Sequence, residues 1–162
     1  MTETPNTTAA LRDAVEEAIA SNWFCMLATS SNENRPHVAG VLYALVGRDL
    51  YVNTDEASRK ARNIAENGRA AVCIPVNVAP DAPPFTATLQ GTAELLPNDH
   101  PEITSLVADG RLAAVTSHGE LERPGTCFVK VTPGARVATY GIGVSPEELE
   151  ADPLSAFGSV AW

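Results

Sequence analysis

The spacing of apolar positions changes three times along this chain, and each change predicts a different element. Leu11, Val15 and Ile19 recur every fourth residue with Ala14 and Ala18 beside them, which predicts an amphipathic helix over 8–21. Thr7 or Thr8 is placed to cap it, and the polar residues 1–7 read as a flexible lead. The period then shortens. "WFCMLAT" (23–29) is a short apolar run closed by the polar "SSNEN", the signature of a strand. "RPHVAGVLYALV" (35–46) predicts a second strand, in which Gly40 marks a bulge or the close approach of another group. "GRDLYVNT" (47–54) follows a glycine-containing turn and completes a hairpin. Strands connected this tightly predict an antiparallel meander.

Helical spacing returns in "DEASRKARNIAENG" (55–68), with Ala57, Ala61, Ile64 and Ala65 as its apolar stripe. Asp55 or Thr54 is the expected N-cap and Gly68 the expected C-terminal stop. "RAAVCIPVNV" (69–78) reads as a strand, "APDAPP" (79–84) as a loop, and "FTATLQGTAELL" (85–96) as a strand bulged near Gly91. A third helix is predicted in "PNDHPEITSLVADGRLAAV" (97–115), capped by Asn98 or Asp99, with Pro101 in its first turn and Gly110 dividing it. "TCFVKVTPGARVATYGIG" predicts two strands around a Pro133–Gly134 turn. Ser145 and Glu148 form a capping-box pattern, and the closing "LSAFGSVAW" is apolar enough to pack. Six or seven strands joined largely by hairpins, with three helices, predict a mainly β domain over 1–162, a small barrel with helices at its ends. The strand–helix–strand at 48–78 lacks the glycine-rich fingerprint of a dinucleotide-binding unit.

Composition narrows the class. The chain has 162 residues, 44 % of them apolar, ordinary for one globular domain. No run approaches the roughly 20 apolar residues of a membrane helix. The N-terminal residues show no basic segment followed by an apolar one, so no signal peptide is expected and the cytoplasm is the default. Cys25, Cys73 and Cys127 form no CxxC pair and read as buried thiols. His37, His100 and His118 have no ligand spacing, so no metal site is expected. Tyr43 and Tyr51 read as packing residues.

Charge singles out one segment. The formal net charge is −9, from twenty Asp and Glu against eleven Lys and Arg. That excludes bulk nucleic-acid binding, which needs a basic surface. Yet Arg59, Lys60, Arg62 and Arg69 fall within eleven residues. A helix start offers unpaired N–H groups and partial positive charge. The hydroxyls of Thr54 and Ser58, with Arg59 and Lys60, add what a phosphate needs. Asp55 and Glu56 would repel an anion unless turned outward. From the residues alone two readings stand: a solvated helix face, or a site for one small anion.

The segment "VLYALVGRDLYVNTDEASRKARNIAENGRAAVCIPV" resembles the centre of the pyridoxamine 5′-phosphate oxidase-like, FMN-binding split-barrel superfamily. There a strand pair leads into an S-x-K helix with an N-I/L-x-x-N tail, here "SRKARNIAEN". The upstream "MLATSSNENRPHVAGVLYAL" and the downstream "FTATLQGTAELLPND" match its first hairpin and its glycine-centred strand. The resemblance, over about residues 23–100, implies an antiparallel split β-barrel and a homodimer with cofactor at the subunit interface. It implies that Thr54, Ser58, Arg59 and Lys60 hold the cofactor phosphate. The ring would lie along the second strand near His37 and Val38, where Gly40 permits approach, and Thr86, Thr88 and Gln90 would add polar contacts. The implied activity is an FMN-dependent oxidoreductase that transfers hydride to or from a small molecule, with no catalytic side chain required beyond the cofactor.

Departures from the pattern limit that implication. Thr86 stands where true pyridoxamine phosphate oxidases carry a cofactor-binding Gln. Ala39 and Ala44 replace an Arg and a Lys, and "FGSVAW" replaces an Arg-Leu-x-Pro ending. Oxidation of vitamin B6 is therefore not expected. F420-dependent relatives share the helix motif. FMN is favoured because the first helix, with Glu16 and Glu17 against Arg12, is a poor partner for the polyglutamate tail of F420. A non-catalytic flavin- or haem-binding sensor or storage module is the other alternative; haem would require His37, His100 or His118 to face the cavity. Trp162 is expected either to be free or to cover the partner's pocket.

Overall fold

The computed structural model describes residues 5–76, 80 and 85–162. The predicted loop 79–84, apart from Pro80, and the end of the strand predicted over 69–78 lie outside them, as do residues 1–4 of the polar lead. The elements run α1 (Pro5–Ser21), β1 (Phe24–Ser30), β2 (Pro36–Leu42), β3 (Ala44–Val46), β4 (Asp49–Asp55), α2 (Arg59–Asn67), β5 (Arg69–Val76), β6 (Phe85–Pro97), α3 (Pro101–Ala108), β7 (Thr126–Tyr140), α4 (Pro146–Ala151) and β8 (Phe157–Ala161). Short 3-10 turns at Ala113–Val115 and Pro153–Ala156 complete the described secondary structure. The strands form one antiparallel sheet in the order β2-β1-β5-β6-β7-β4-β3, with β8 added to β7. This is the mainly β, split-barrel architecture.

The two end strands of that path, β2 and β3, are consecutive in sequence, so the chain itself crosses the barrel seam. It crosses at Tyr43, between Leu42 and Ala44. The predicted strand 35–46 is therefore two strands, and Tyr43 is the corner. Its N–H donates to Trp23 O at 2.8 Å and its hydroxyl to Ile19 O at 2.5 Å. A buried phenol needs such a partner, and here it ties the seam to the end of α1.

Two apolar clusters hold the fold. Leu27, Leu50, Val52, Val72, Ile74, Leu89, Val129, Val131 and Val137 fill the barrel, and α1 adds Val15, Ala18 and Ile19 to them. The predicted spacing of α1 thus sits on the core, although the helix already begins at Pro5, ahead of the expected Thr7 or Thr8 cap. The smaller cluster joins Ala44, Tyr51, Leu96, Ile103, Leu112, Val115 and Phe128 under α3. The cap of α3 is His100, whose Nδ1 accepts from Glu102 N at 3.3 Å, rather than Asn98 or Asp99. Asn98 turns instead to Thr126 Oγ1, at 2.9 Å.

Gly91 marks the predicted bulge. The β6–β7 register shifts between Leu89 and Gly91, and a Cβ at Gly91 would lie 2.1 Å from Thr132 O, so only glycine lets the strands meet there. Opposite it, β7 runs unbroken through Pro133 and Gly134 where a turn was predicted. Pro133 is tolerated because β4 leaves β7 at Val131 and β8 joins it at Arg136; the missing N–H falls in the gap between two ladders. Trp162 is neither free nor directed outward. Its N–H bonds Ala135 O at 2.9 Å, its indole N–H bonds Arg48 O at 3.2 Å, and its ring joins the core.

Candidate functional site

The start of α2 is built by β4. This strand stays paired with β7 through Thr54 and Asp55, opposite Cys127 and Thr126, so neither residue is free to cap a helix. Asp55 Oδ1 accepts from Ala57 N at 2.7 Å and Asp55 O from Ser58 N at 3.0 Å, which turns the chain. Ser58 is the N-cap, its Oγ accepting from Ala61 N at 3.3 Å and lying 3.4 Å from Thr54 Oγ1. The helix begins at Arg59, four residues later than predicted, and stops at Gly68 with φ 62°. Its asparagines dock it. Buried Asn63 donates to Thr29 Oγ1 at 3.0 Å and Asn67 to Ser30 O at 2.5 Å, fastening α2 to β1.

Consecutive helical residues diverge by about 100°, and this divides the expected phosphate ligands. Arg59 faces a groove of about 760 Å3 between α2 and the β1–β2 turn, with Arg35, Arg62, Asn63 and Glu66. Most of its charge is engaged: Arg35 pairs with Glu33 at 2.8 Å, Arg62 donates to Ala57 O, and Glu66 accepts from Asn32 N at 2.9 Å. Lys60 faces a different cavity of about 230 Å3, lined with Gly40, Val41, Leu42, Asn53, Val115 and Glu120. There the buried Asn53 Nδ2 has no acceptor among the described residues. A buried amide without a partner is costly.

Glu120 also lines this cavity. Its carboxylate accepts from His118 N at 2.7 Å through Oε2, and Oε1 lies 3.5 Å from His118 Nδ1. The His118 N–H bond, with one from its own N–H, holds the carboxyl below its ordinary range. The cavity thus holds one cation and one carboxylate. Neither Asn53 nor Glu120 was singled out from the sequence. Asn53 had a weak signal, a polar side chain directly after the apolar run Leu50–Tyr51–Val52. Glu120 sits in a turn-rich segment with no pattern to mark it.

The other predicted residues lie elsewhere. His37 and Val38 point to opposite faces of β2: His37 lies opposite buried Thr29, while Val38 is exposed on the outer face. The space over Gly40 is taken by the Phe24 ring, whose Cζ would lie 2.9 Å from an added Cβ. β2 shows no bulge there, since Met26 pairs with Gly40 in an unbroken register. Thr86 pairs with Pro75 and Tyr140, and Gln90 lines a hollow of about 440 Å3 with Thr29, Ser30 and Arg69. Neither shares the Lys60 cavity. Burial pushes the Cys25 thiol up to about 12, with Cys73 adding to it. Burial also pushes Cys127 up to about 11, with Glu56 and Asp55 contributing. Neither thiol is a nucleophile at neutral pH.

The split-barrel fold agrees with the comparisons. The family model for pyridoxamine 5′-phosphate oxidase matches residues 11–137. The chain belongs to this family. No curated protein sequence matches it. Among solved structures, a heme binding protein from Mycobacterium smegmatis is similar at 18 % identity and TM-score 0.70, over 99 % of this chain and 60 % of that one. The chain therefore spans 60 % of the length of that relative. HutZ, the heme storage protein of Vibrio cholerae, is similar at 15 % identity and TM-score 0.67, over 83 % of this chain and 95 % of that one. A pyridoxamine 5′-phosphate oxidase-related, FMN binding protein from Nostoc punctiforme is similar at 17 % identity and TM-score 0.56, over 99 % and 98 %. At such identities these likenesses establish the shared fold. Among the described residues no helix is long and apolar enough to cross a membrane.

Proposed function

We propose that this member of the pyridoxamine 5′-phosphate oxidase family binds FMN, with the phosphate against Lys60, and acts as a flavin-dependent oxidoreductase on a small molecule. One observation carries the reading: Lys60, in the first turn of α2, lines a cavity beside the barrel seam and forms no ion pair among the described residues. A phosphate oxygen would give it a charge-assisted hydrogen bond, the strong kind. The Thr54 and Ser58 hydroxyls, also expected at the phosphate, do not line this cavity; Ser58 Oγ caps α2 and lies 3.4 Å from Thr54 Oγ1. When bound, the flavin ring supplies the hydride chemistry. The chain anchors the phosphate, orients the ring and excludes water.

The remaining expected contacts point to a second copy. The outer face of β1 and β2 leaves Met26, Val38 and Leu42 exposed, with Trp23 at its edge. This apolar face adjoins the Lys60 cavity through Gly40 and Leu42. Thr86 and Gln90 do not line the Lys60 cavity, so in this reading they would meet the cofactor from a partner chain. A homodimer with cofactor at the interface accommodates both. A haem-binding reading draws on the two haem proteins of the same fold. Of the three histidines, His100 caps α3 and His118 engages Glu120, which leaves His37, opposite Thr29 and outside the Lys60 cavity, as its one candidate ligand.

The test is a spectroscopic titration of the wild-type protein and Lys60→Ala with FMN, riboflavin, F420 and haemin. The reading expects FMN to bind at least about tenfold more tightly than riboflavin, which lacks the phosphate, and Lys60→Ala to abolish the difference; tenfold is about 1.4 kcal/mol. Saturable haemin binding with no flavin binding would overturn it in favour of the haem reading. F420 binding without FMN binding would move the same site to the deazaflavin.

A further inference from the structure

At about 230 Å3 the Lys60 cavity is smaller than the roughly 300–1,000 Å3 of a site that encloses a whole ligand. A nucleotide with one end there keeps its ring outside. Gly40 and Leu42 line the cavity and also belong to the outer face of β2, so this face continues from the cavity. Side chains alternate along a strand, and pairing sets Phe24 opposite Leu42, Met26 opposite Gly40 and Ala28 opposite Val38 on that same face. None of these residues is charged, on a chain whose formal charge is −9. The surface next to the cavity therefore suits an uncharged, planar group.

Phe24 already occupies the place where a flavin ring was expected to meet bare backbone. Diagonal cross-strand neighbours are within reach of an aromatic side chain, and Phe24 reaches across Leu42 in this way to lie over Gly40. A Cβ added at Gly40 would stand 2.9 Å from Phe24 Cζ, 3.0 Å from Cε2 and 3.9 Å from Met26 Sδ. Gly40 thus makes room for a ring of the chain itself. An aromatic ring over a strand glycine supports the sheet, which sets Phe24 in place before any ligand arrives. Phe24 is nevertheless only half-buried, and Met26 beside it is exposed. We propose that Phe24 is the surface on which the ring of the bound cofactor stacks, with Met26 at the ring's edge. Offset stacking of two aromatic systems is favourable, as is a thioether against an aromatic edge. The inference rests on the flavin reading above and adds to it a residue that binds the ring rather than the phosphate.

The experiment is a fluorescence titration of the whole chain with FMN and with riboflavin, which keeps the ring and lacks the phosphate. The proteins are wild type, Phe24→Ala, Phe24→Leu, Gly40→Ala and the Phe24→Ala, Gly40→Ala double variant. Thermal melts establish that each is folded, and Phe24→Leu, which keeps apolar bulk without the aromatic plane, serves if Phe24→Ala does not fold. Loss of the ring should weaken FMN and riboflavin by the same factor, about tenfold, and leave the preference for FMN over riboflavin intact. Gly40→Ala should push the Phe24 ring aside, so it should weaken binding when Phe24 is present and have little effect when Phe24 is already Ala. Unaltered affinity in both Phe24 variants would overturn the proposal. So would tighter binding in either, because Phe24 would then be an obstacle to the ring. A Gly40→Ala penalty of equal size with and without Phe24 would also overturn it, by assigning the effect to a blocked cavity. Wild-type protein that binds no flavin would overturn the flavin reading and this proposal together, whereas wild-type binding with an indifferent Phe24 would overturn this proposal alone.

Discussion

Asn53 carries a cost in stability that can be tested. Its Nδ2 is buried and unpaired among the described residues, and a buried donor left without a partner costs about 1–3 kcal/mol. Asn53→Ala removes that donor. The expected outcome is a thermal midpoint that is unchanged or raised. A fall would show that the amide already has a partner. Lys60 was legible in the sequence because a cation in the first turn of a helix, behind Thr54 and Ser58, is an anion-site pattern. Its separation from Arg59 was not, since it depends on which β-sheet surface each side of α2 faces. Glu120 was illegible for the same reason. It lines the cavity only once α3 and the following turns fold back toward β2 and β4.

Among the elements, α3 governs that return. Lys130 Nζ lies 2.8 Å from Glu102 Oε1 and 3.7 Å from Asp49 Oδ2, and the Tyr51 hydroxyl donates to Glu102. The cluster ties α3 to β4 and β7, and α3 leads into the segment that delivers Val115 and Glu120. The Lys130 bond, then the Tyr51 bond, hold the Glu102 carboxyl below its ordinary range. Burial and Glu102 push Tyr51 up to about 12. A carboxyl with a depressed folded-state pKa adds stability above the ordinary carboxyl value and loses it as pH falls through the depressed one. Glu102→Gln should therefore destabilise the protein at neutral pH by about 1–2 kcal/mol, the charge-assisted bond discounted for partial solvent exposure. The difference from wild type in thermal midpoint should close as the pH is lowered below about 4. A difference that persists undiminished in acid would assign the effect to packing. At this scale the sequence was read well where local spacing decides: α1, the β3–β4 hairpin, the Gly68 stop, the Gly91 bulge and the Ser145–Glu148 capping box. It was read badly where a distant partner decides. β4 pairs through Asp55 and delays α2. β6 holds β7 straight through Pro133. Tyr43 breaks a strand because the seam needs a corner.

For the whole molecule, the sheet path closes through its own chain and still leaves one face uncovered. Trp23 and Val38, at the edge and on the outer face of β1 and β2, are each 61 % exposed, on a chain of charge −9. An apolar face of this kind is ordinarily covered by a partner, and a stable interface needs about 800 Å2 from each side. The central claim is a phosphate-anchored flavin held at a site that two copies complete. The measurement that tests it most directly is sedimentation velocity of the protein with FMN, followed in the flavin absorption band. The account predicts that the flavin moves with a species of twice 17.0 kDa. Flavin left at the rate of the free compound, or carried by a single 17.0 kDa chain, would contradict it.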